Sequence, residues 1–282
     1  MKAQKSSYLK RLHPSRLFKP VPDLLIERAQ PKSLAFGSAD QPKPLHSESI
    51  KVLSWNIARS NYSRHWVRDC QTIVEQQQPD LVFLQEVRLS DQNEKISELT
   101  EMDWSFAPNF MNARDASYSG ILVAAKAERL SSRVLLSEYR EPVSNTPKIS
   151  LIVEYSLSGS SKRLLAVNIH AINFVDLNKF KHQLQAIELI LMQHPGAIVF
   201  AGDFNTWSRA RSLALFAMAD RLILKKVEFP AAESRHLKRF LLSPPLDYIF
   251  YRGFKQKPSS ARVIDTPTSS DHNPLFVELC GW

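Results

Sequence analysis

The chain has 282 residues, 44% of them hydrophobic, and a formal net charge of +9. That length fits one large domain or two small ones. No apolar run reaches the roughly 20 residues that span a bilayer, and the basic N-terminus lacks the apolar stretch of a secretory signal, because Leu24-Leu25-Ile26 is the best it offers. Two cysteines, Cys70 and Cys280, are too few for a disulfide framework and have no metal-type spacing, which predicts a reducing, cytoplasmic setting. The charge is unevenly placed. Residues 1–46 hold nine Lys or Arg against three Asp or Glu, so +6 of the +9 lies there.

Residues 1–47 carry six Pro, mixed charge and no sustained periodicity. They read as a basic leader, extended or partly disordered, that either touches polyanions or acidic lipid or packs along the domain surface. The remaining chain, 48–282, reads as a single domain. Ser49 to Ile57 predicts a strand. His65 to Gln78 predicts a helix, with apolar residues at Trp66, Val67, Cys70, Ile73 and Val74, stopped by Pro79. Leu81 to Gln85 is a strand, and Ser90 can cap a second helix to about Thr100. Strands are expected at Trp104–Phe110, Gly120–Lys126 and Val134–Tyr139. Ser150–Leu157 and Lys162–Ile169 flank Ser158-Gly159-Ser160-Ser161 and predict a hairpin. Val175 to Gln193 is an amphipathic helix. Pro195-Gly196 breaks the chain before the short buried strand Ala197–Ala201, and Ser208 can cap a helix from Arg209 to Ala219. Strands at Tyr248–Tyr251, Arg262–Ile264 and Leu275–Leu279 complete the chain. The alternation alone gives α/β or α+β.

Polar residues recur at the ends of these strands. Asn56, Glu86, His170 and Asp203 each follow an apolar run; Asp247 and Asp271-His272 each precede one. Antiparallel pairing places the start of one strand beside the end of its neighbour, so these groups can gather on one edge of a sheet stack. Gly202-Asp203-Phe204-Asn205 puts a carboxylate and an amide together at a strand tip, although Asp and Asn also serve ordinary turns.

Trp55-Asn56, Leu84-Gln85-Glu86, Asn168-Ile169-His170, Gly202-Asp203-Phe204-Asn205, Leu246-Asp247-Tyr248-Ile249-Phe250 and Ser270-Asp271-His272 resemble, in order, the motifs of the endonuclease/exonuclease/phosphatase (DNase I-like) superfamily. Longer strings around Asn168-Ile169-His170, Asp203 and Asp271-His272 are closer still to a bacterial YafD-like branch. The resemblance implies a four-layer αββα sandwich and a metal-dependent phosphoesterase, foremost a phosphodiesterase or nuclease. Asn168-Ile169-His170 stands where abasic-site endonucleases have a Tyr-x-Pro-Asn type motif, which argues against that branch. A lipid or inositol phosphatase, or a sphingomyelinase-like hydrolase, is the second enzyme reading. A catalytically silent polyanion-binding module is the third.

On the enzyme readings, Mg²⁺, with Mn²⁺ as a substitute, is held by Glu86 with Asn56 and Asp271. Asp203 orients or deprotonates the attacking water, and Asn205 holds a phosphoryl oxygen. His170 donates to the scissile phosphate. Asp247 fixes His272, which stabilises charge or acts as base. Trp207, Arg209 and Arg211 either contact the substrate or have structural roles, Trp207 packing under the loop and the two arginines sitting on a solvated helix face.

Overall fold

The computed structural model describes residues 26–27, 34–36, 43–90 and 96–281. Elements follow in chain order: β1 (Ile26–Glu27), β2 (Leu34–Phe36), β3 (Ser49–Asn56), α1 (Arg64–Gln77), β4 (Leu81–Leu89), β5 (Asp103–Asn112), β6 (Ser117–Ala125), β7 (Arg129–Arg140), β8 (Pro147–Ser156) and β9 (Arg163–His170). Then come α2 (Leu177–Gln193), β10 (Ala197–Asp203), α3 (Arg209–Arg221), β11 (Lys225–Lys226), α4 (Ala231–Ser234), β12 (Asp247–Arg252), β13 (Lys255–Gln256), β14 (Arg262–Val263) and β15 (Leu275–Cys280). The helix starts follow side-chain caps. Ser63, Asp176 and Ser208 each accept a hydrogen bond from a backbone N–H of the first turn of α1, α2 and α3. Of the helix expected from Ser90 to about Thr100, residues 91–95 lie outside the described residues, and Ser97–Leu99 form a single 3₁₀ turn. Most of the basic leader also lies outside them, but β1 and β2 pair with β5.

One sheet runs β1-β5-β6-β4-β3-β15-β13, with β2 on β5 and β14 on β15; the other runs β11-β12-β10-β9-β8-β7. Three apolar clusters separate four layers. The central one joins the inner faces of both sheets, with Val52, Phe83 and Val123 meeting Leu151, Ala166 and Val199. A second packs α2 and α3 on the outer face of β9, β10 and β12, and a third packs α1 on the outer face of β3 and β4. This is an α+β sandwich of the DNase I-like kind. Strands buried on both faces read as continuous apolar runs, as Ala197–Ala201 does.

Register brings the polar strand ends together. In the second sheet β10 runs parallel to β9 and antiparallel to β12, so Asp203 pairs with His170 on one side and Asp247 on the other. In the first sheet β3 runs parallel to β4, placing Asn56 beside Gln85. Gly202 permits the tight lateral packing, since a Cβ there would sit 2.0 Å from the Ile169 carbonyl oxygen.

Fully buried Asn168 locks the sheets to each other. Its amide donates to the carbonyls of Leu84 (2.9 Å) and Leu122 (2.8 Å) in the opposite sheet, and its oxygen accepts from Gln85 Nε2 at 2.7 Å. Asn168→Ala removes three buried bonds and leaves Gln85 Nε2 only its 3.4 Å bond to the Phe83 carbonyl. Urea unfolding should show a loss of about 2–4 kcal/mol, on the scale of roughly 1 kcal/mol per buried neutral hydrogen bond. A loss under about 0.5 kcal/mol, the size of an ordinary surface substitution, would rule out this clamp.

Candidate active site

The polar strand ends meet on one edge of the sandwich. Asp203, 3% exposed, lies at the centre of it. Its Oδ2 accepts from Asn56 Nδ2 at 3.0 Å across the two sheets and lies 3.7 Å from His170 Nε2. Its Oδ1 accepts from the Asn205 backbone N–H at 2.9 Å. Asn205 adopts φ 50° and donates its side-chain amide to the Ala171 carbonyl at 2.8 Å, so a non-glycine residue is held in the left-handed region by hydrogen bonds on both sides. Burial and neighbouring Asp247 push the Asp203 carboxyl above its ordinary range.

His272 Nδ1 bonds to Asp247 Oδ2 at 2.8 Å, both groups buried. Burial opposes a charge on His272, but the Asp247 carboxylate outweighs it and lifts the imidazole to about 9. The loop carrying His272 is tied to β3: Ser270 Oγ donates to the Asn56 carbonyl at 2.7 Å, and Trp55 Nε1 donates to the His272 carbonyl at 2.8 Å. The other buried oxygen of Asp247, Oδ1, has no hydrogen-bond partner among the described residues.

Glu86 stands where the register between β4 and β6 shifts, between Leu84 and Val87, at φ 54°. That irregularity turns its side chain out of the ladder and into the cleft. Arg59 Nε lies 3.2 Å from one carboxylate oxygen, and His170 Nε2 lies 3.9 Å from the other. Burial would raise this carboxyl, yet the Arg59 and Lys148 cations prevail and bring it down to about 2. His170 behaves oppositely to His272. Burial and the Lys148 ammonium lower it to about 4, so its ring is neutral. Lys148 Nζ sits 3.1 Å from His170 Nε2 and, offering donors only, makes that nitrogen an acceptor. Lys148 also pairs with Glu141 at 3.5 Å, and Glu141 Oε1 accepts from the Asn173 backbone N–H at 2.9 Å. Arg59, Glu86, Lys148 and His170 share the lining of a polar cavity of about 110 Å³.

The structure thus brings together Asn56, Glu86, His170, Asp203, Asn205, Asp247 and His272. Asp271 flanks them, its carboxylate taken by Lys238 at 2.7 Å. The three residues after Asn205 differ among themselves. Arg209 is exposed. Trp207 is half-buried, its indole N–H donating to Asn173 Oδ1 at 2.8 Å. Arg211 must be corrected: it is 1% exposed, its guanidinium donates to the carbonyls of Ile172 and Val175 and lies over the Phe180 ring, so it neither reaches a substrate nor faces solvent. Lys148, Arg59 and Glu141 were not anticipated. A lysine heading the otherwise apolar run of β8 was the available signal for Lys148.

Sandwich and edge together define a phosphoester-hydrolase class of site, with carboxylates, amides and histidines gathered at the strand ends of two packed sheets. The chain belongs to the Endonuclease/Exonuclease/phosphatase family, whose profile matches residues 53–272. It is similar to the UPF0294 protein of Vibrio parahaemolyticus, 34% identical over 231 residues and covering 82% of this chain and 77% of that one. It is also similar to a UPF0294 protein of Klebsiella pneumoniae, 33% identical over 240 residues and 84% of each chain. Among solved structures, an endonuclease/exonuclease/phosphatase from Beutenbergia cavernae aligns with TM-score 0.62 at 16% identity, covering 83% of this chain and 72% of that one. The human Nocturnin catalytic domain aligns with TM-score 0.61 at 17% identity, over 86% and 97%. These two likenesses concern the fold.

The charged state of His272 depends on Asp247. Its folded value, about 9, lies above the unfolded 6.5, so the stability this pair contributes is complete below pH 6.5 and is lost as the pH rises through about 9. In Asp247→Asn, an NMR titration should move the His272 midpoint well down from its wild-type position, with only Asp203 and Asp271 left to offset burial. A midpoint still near the wild-type value would show that another group holds the charge.

Proposed function

We propose that this protein is a Mg²⁺-assisted phosphodiester hydrolase, foremost a nuclease, working in the cytosol. The observation that carries the reading is the convergence on Asp203: an Asn56 amide from the opposite sheet, His170 from β9 and the Asp247–His272 pair all surround one buried carboxylate. A residue that served only as a turn would need none of these neighbours. Two free cysteines support the cytosolic placement.

The donor set fits a hard divalent cation. Glu86 is a carboxylate kept ionised, and Asn56 adds an amide oxygen. Glu86 and Asn56 would hold the ion, and Asp271 would join them on exchanging Lys238. A bound Mg²⁺, or Mn²⁺ in its place, supplies Lewis-acid polarisation of a phosphoryl oxygen. Asp203, Asp247 and His272 also lie close enough to share an ion. The charge that Asp247 places on His272 repels a cation, however, so we assign that trio to proton handling.

The raised affinity of Asp203 for protons suits a group that takes one from the attacking water. Charged His272, oriented by Asp247, faces the negative charge that develops on phosphorus and its oxygens. Asn205 steadies the carboxylate through its backbone and holds a phosphoryl oxygen. With Lys148 donating to His170 Nε2, the positive charge at this side of the phosphate comes from Lys148 and Arg59, and His170 acts as the neutral ring that positions Lys148.

Three outcomes test the reading, with bis-p-nitrophenyl phosphate as a generic diester. Wild-type turnover should vanish on chelation and return with Mg²⁺. In Glu86→Ala the calorimetric Mg²⁺ titration should flatten while the fold persists; an unchanged titration would remove Glu86 from the metal site. Asp203→Asn keeps the hydrogen-bonding shape and removes the charge. Its kcat should fall by about 10² or more, the scale of general-base loss, with KM unchanged or lower. A kcat within about threefold of wild type would reject the water-activating role.

A further inference from the structure

Ten large apolar side chains are exposed among the described residues, and five of them, Tyr62, Val143, Phe174, Leu241 and Leu242, stand in loops that leave the edge carrying Asp203. The loops are separate in sequence. Tyr62 follows Asn56, Val143 joins β7 to β8, Phe174 follows His170, and Leu241-Leu242 precede Asp247. Half of the exposed apolar set therefore rings one cleft, whereas scattered surface apolars would spread over every face.

The tip of this rim is the most exposed part of it. Leu241 is 92% exposed and Leu242 is fully exposed. They form the middle of a turn in which the Ser243 N–H donates to the Phe240 carbonyl at 2.8 Å and the Phe240 N–H donates to Ser243 Oγ at 2.9 Å. Leu241 adopts φ 51°, a left-handed conformation that a branched apolar side chain rarely takes. The turn is rooted beside the site: the Leu246 N–H donates to the Lys238 carbonyl at 3.0 Å, and Lys238 bonds to Asp271. Hydrogen bonds thus present two leucines outward next to the catalytic edge.

Positive charge accompanies them. Arg235 and Arg239 are exposed in the same loop, and Arg209 is exposed just beyond Asn205. The carboxylates at this edge are already paired, Asp271 with Lys238 and Glu86 with Arg59. Aliphatic tips ringed by arginines suit an interface with hydrocarbon below and anionic headgroups above. Tyr62 and Phe174 are the less exposed members of the rim, and the leucines at its tip have no face on which a nucleic-acid base can stack, which disfavours single-stranded nucleic acid as the occupant of that tip.

We propose that the loops around the catalytic cleft dock on an anionic phospholipid bilayer, with Leu241 and Leu242 entering the interface. Docking is a binding property and stands apart from the hydrolytic reading, so either can fail alone.

The test is sedimentation of the full chain with phosphatidylcholine vesicles, with and without one-third phosphatidylserine. Wild type should partition onto the phosphatidylserine vesicles and lose that affinity as salt rises. The double variant Leu241→Ser, Leu242→Ser should bind at least about tenfold more weakly, as expected for withdrawing two buried leucines from an interface. It should keep the wild-type melting temperature and the wild-type rate on soluble bis-p-nitrophenyl phosphate. Absence of wild-type binding overturns the proposal. Equal binding by the variant also overturns it, since attachment would then run through the basic N-terminal residues. A variant that instead loses affinity for a single-stranded oligonucleotide, with no vesicle binding by either protein, would reassign the rim to nucleic acid and overturn it too.

Discussion

Two sheets packed through aliphatic side chains have little to fix how one slides over the other, because apolar contact is non-directional. Here the lateral position is set by directional bonds that cross the gap. Asn168 bonds to three groups of the facing sheet, and Asn56 reaches from β3 to Asp203 on β10. Both lie at or near the ends of strands on the catalytic edge. The contact that fixes the sandwich is therefore also the contact that fixes the distances between Asn56, Glu86 and Asp203. Breaking Asn168 would shift the two halves of the site relative to one another before it unfolded either sheet.

Within that frame the same residue types are driven to opposite charge states. Glu86 is flanked by Arg59 and Lys148 and stays ionised, whereas Asp203 sits in a drier spot beside another acid and holds protons more tightly. His170 faces a lysine and is neutral; His272 faces a carboxylate and is charged. Each pair separates by environment alone, which lets one acid and one imidazole serve as fixed charges while the others remain free to exchange protons. The left-handed conformations of Glu86 and Asn205 belong to the same design: in each the backbone turns off the regular ladder to present a side chain to the cleft.

Much of this was legible in the sequence because strand-end polarity is a local signal. An apolar run followed or preceded by Asp, Asn or His marks both a strand and its tip, so Asn56, His170, Asp203 and Asp247 could be placed without knowing their neighbours, whereas Glu86, expected at a tip, lies inside β4 where its register with β6 shifts. The order of the strands within each sheet could not be read that way, since pairing β3 with β15 depends on contacts more than two hundred residues apart. Arg211 went astray for a related reason. Arginine is usually solvated, and nothing local tells that α3 would turn this one inward onto the carbonyls of Ile172 and Val175. Lys148 escaped notice because a lone lysine at a strand start looks like any exposed edge charge; its role exists only through the register that sets Ile149 opposite His170. The segment Ser97–Leu99 was expected to close a helix on the strength of a cap residue alone, and without an apolar stripe it forms only a 3₁₀ turn.

Placing chemistry on a sheet edge also constrains what can approach it. Asp203, Asp247 and His272 are nearly inaccessible, while Glu86 and Arg59 stand further out. On the proposed function, a phosphate entering the cleft would meet the outer cation before it reached the buried Asp203, Asp247 and His272, which would separate capture from chemistry in depth. The loops that carry Tyr62, Val143, Phe174 and Leu241-Leu242 leave the same edge as the catalytic residues, because antiparallel and parallel strands alike present their tips there. Any broad surface that seats against those loops is held over the cleft mouth, and a phosphate on that surface needs to descend only the depth of the rim. Catalytic depth and rim height are thus set by one feature, the register of β9, β10 and β12. A substitution that slipped that register would uncouple the site from whatever surface the loops contact as surely as it would scatter the catalytic groups.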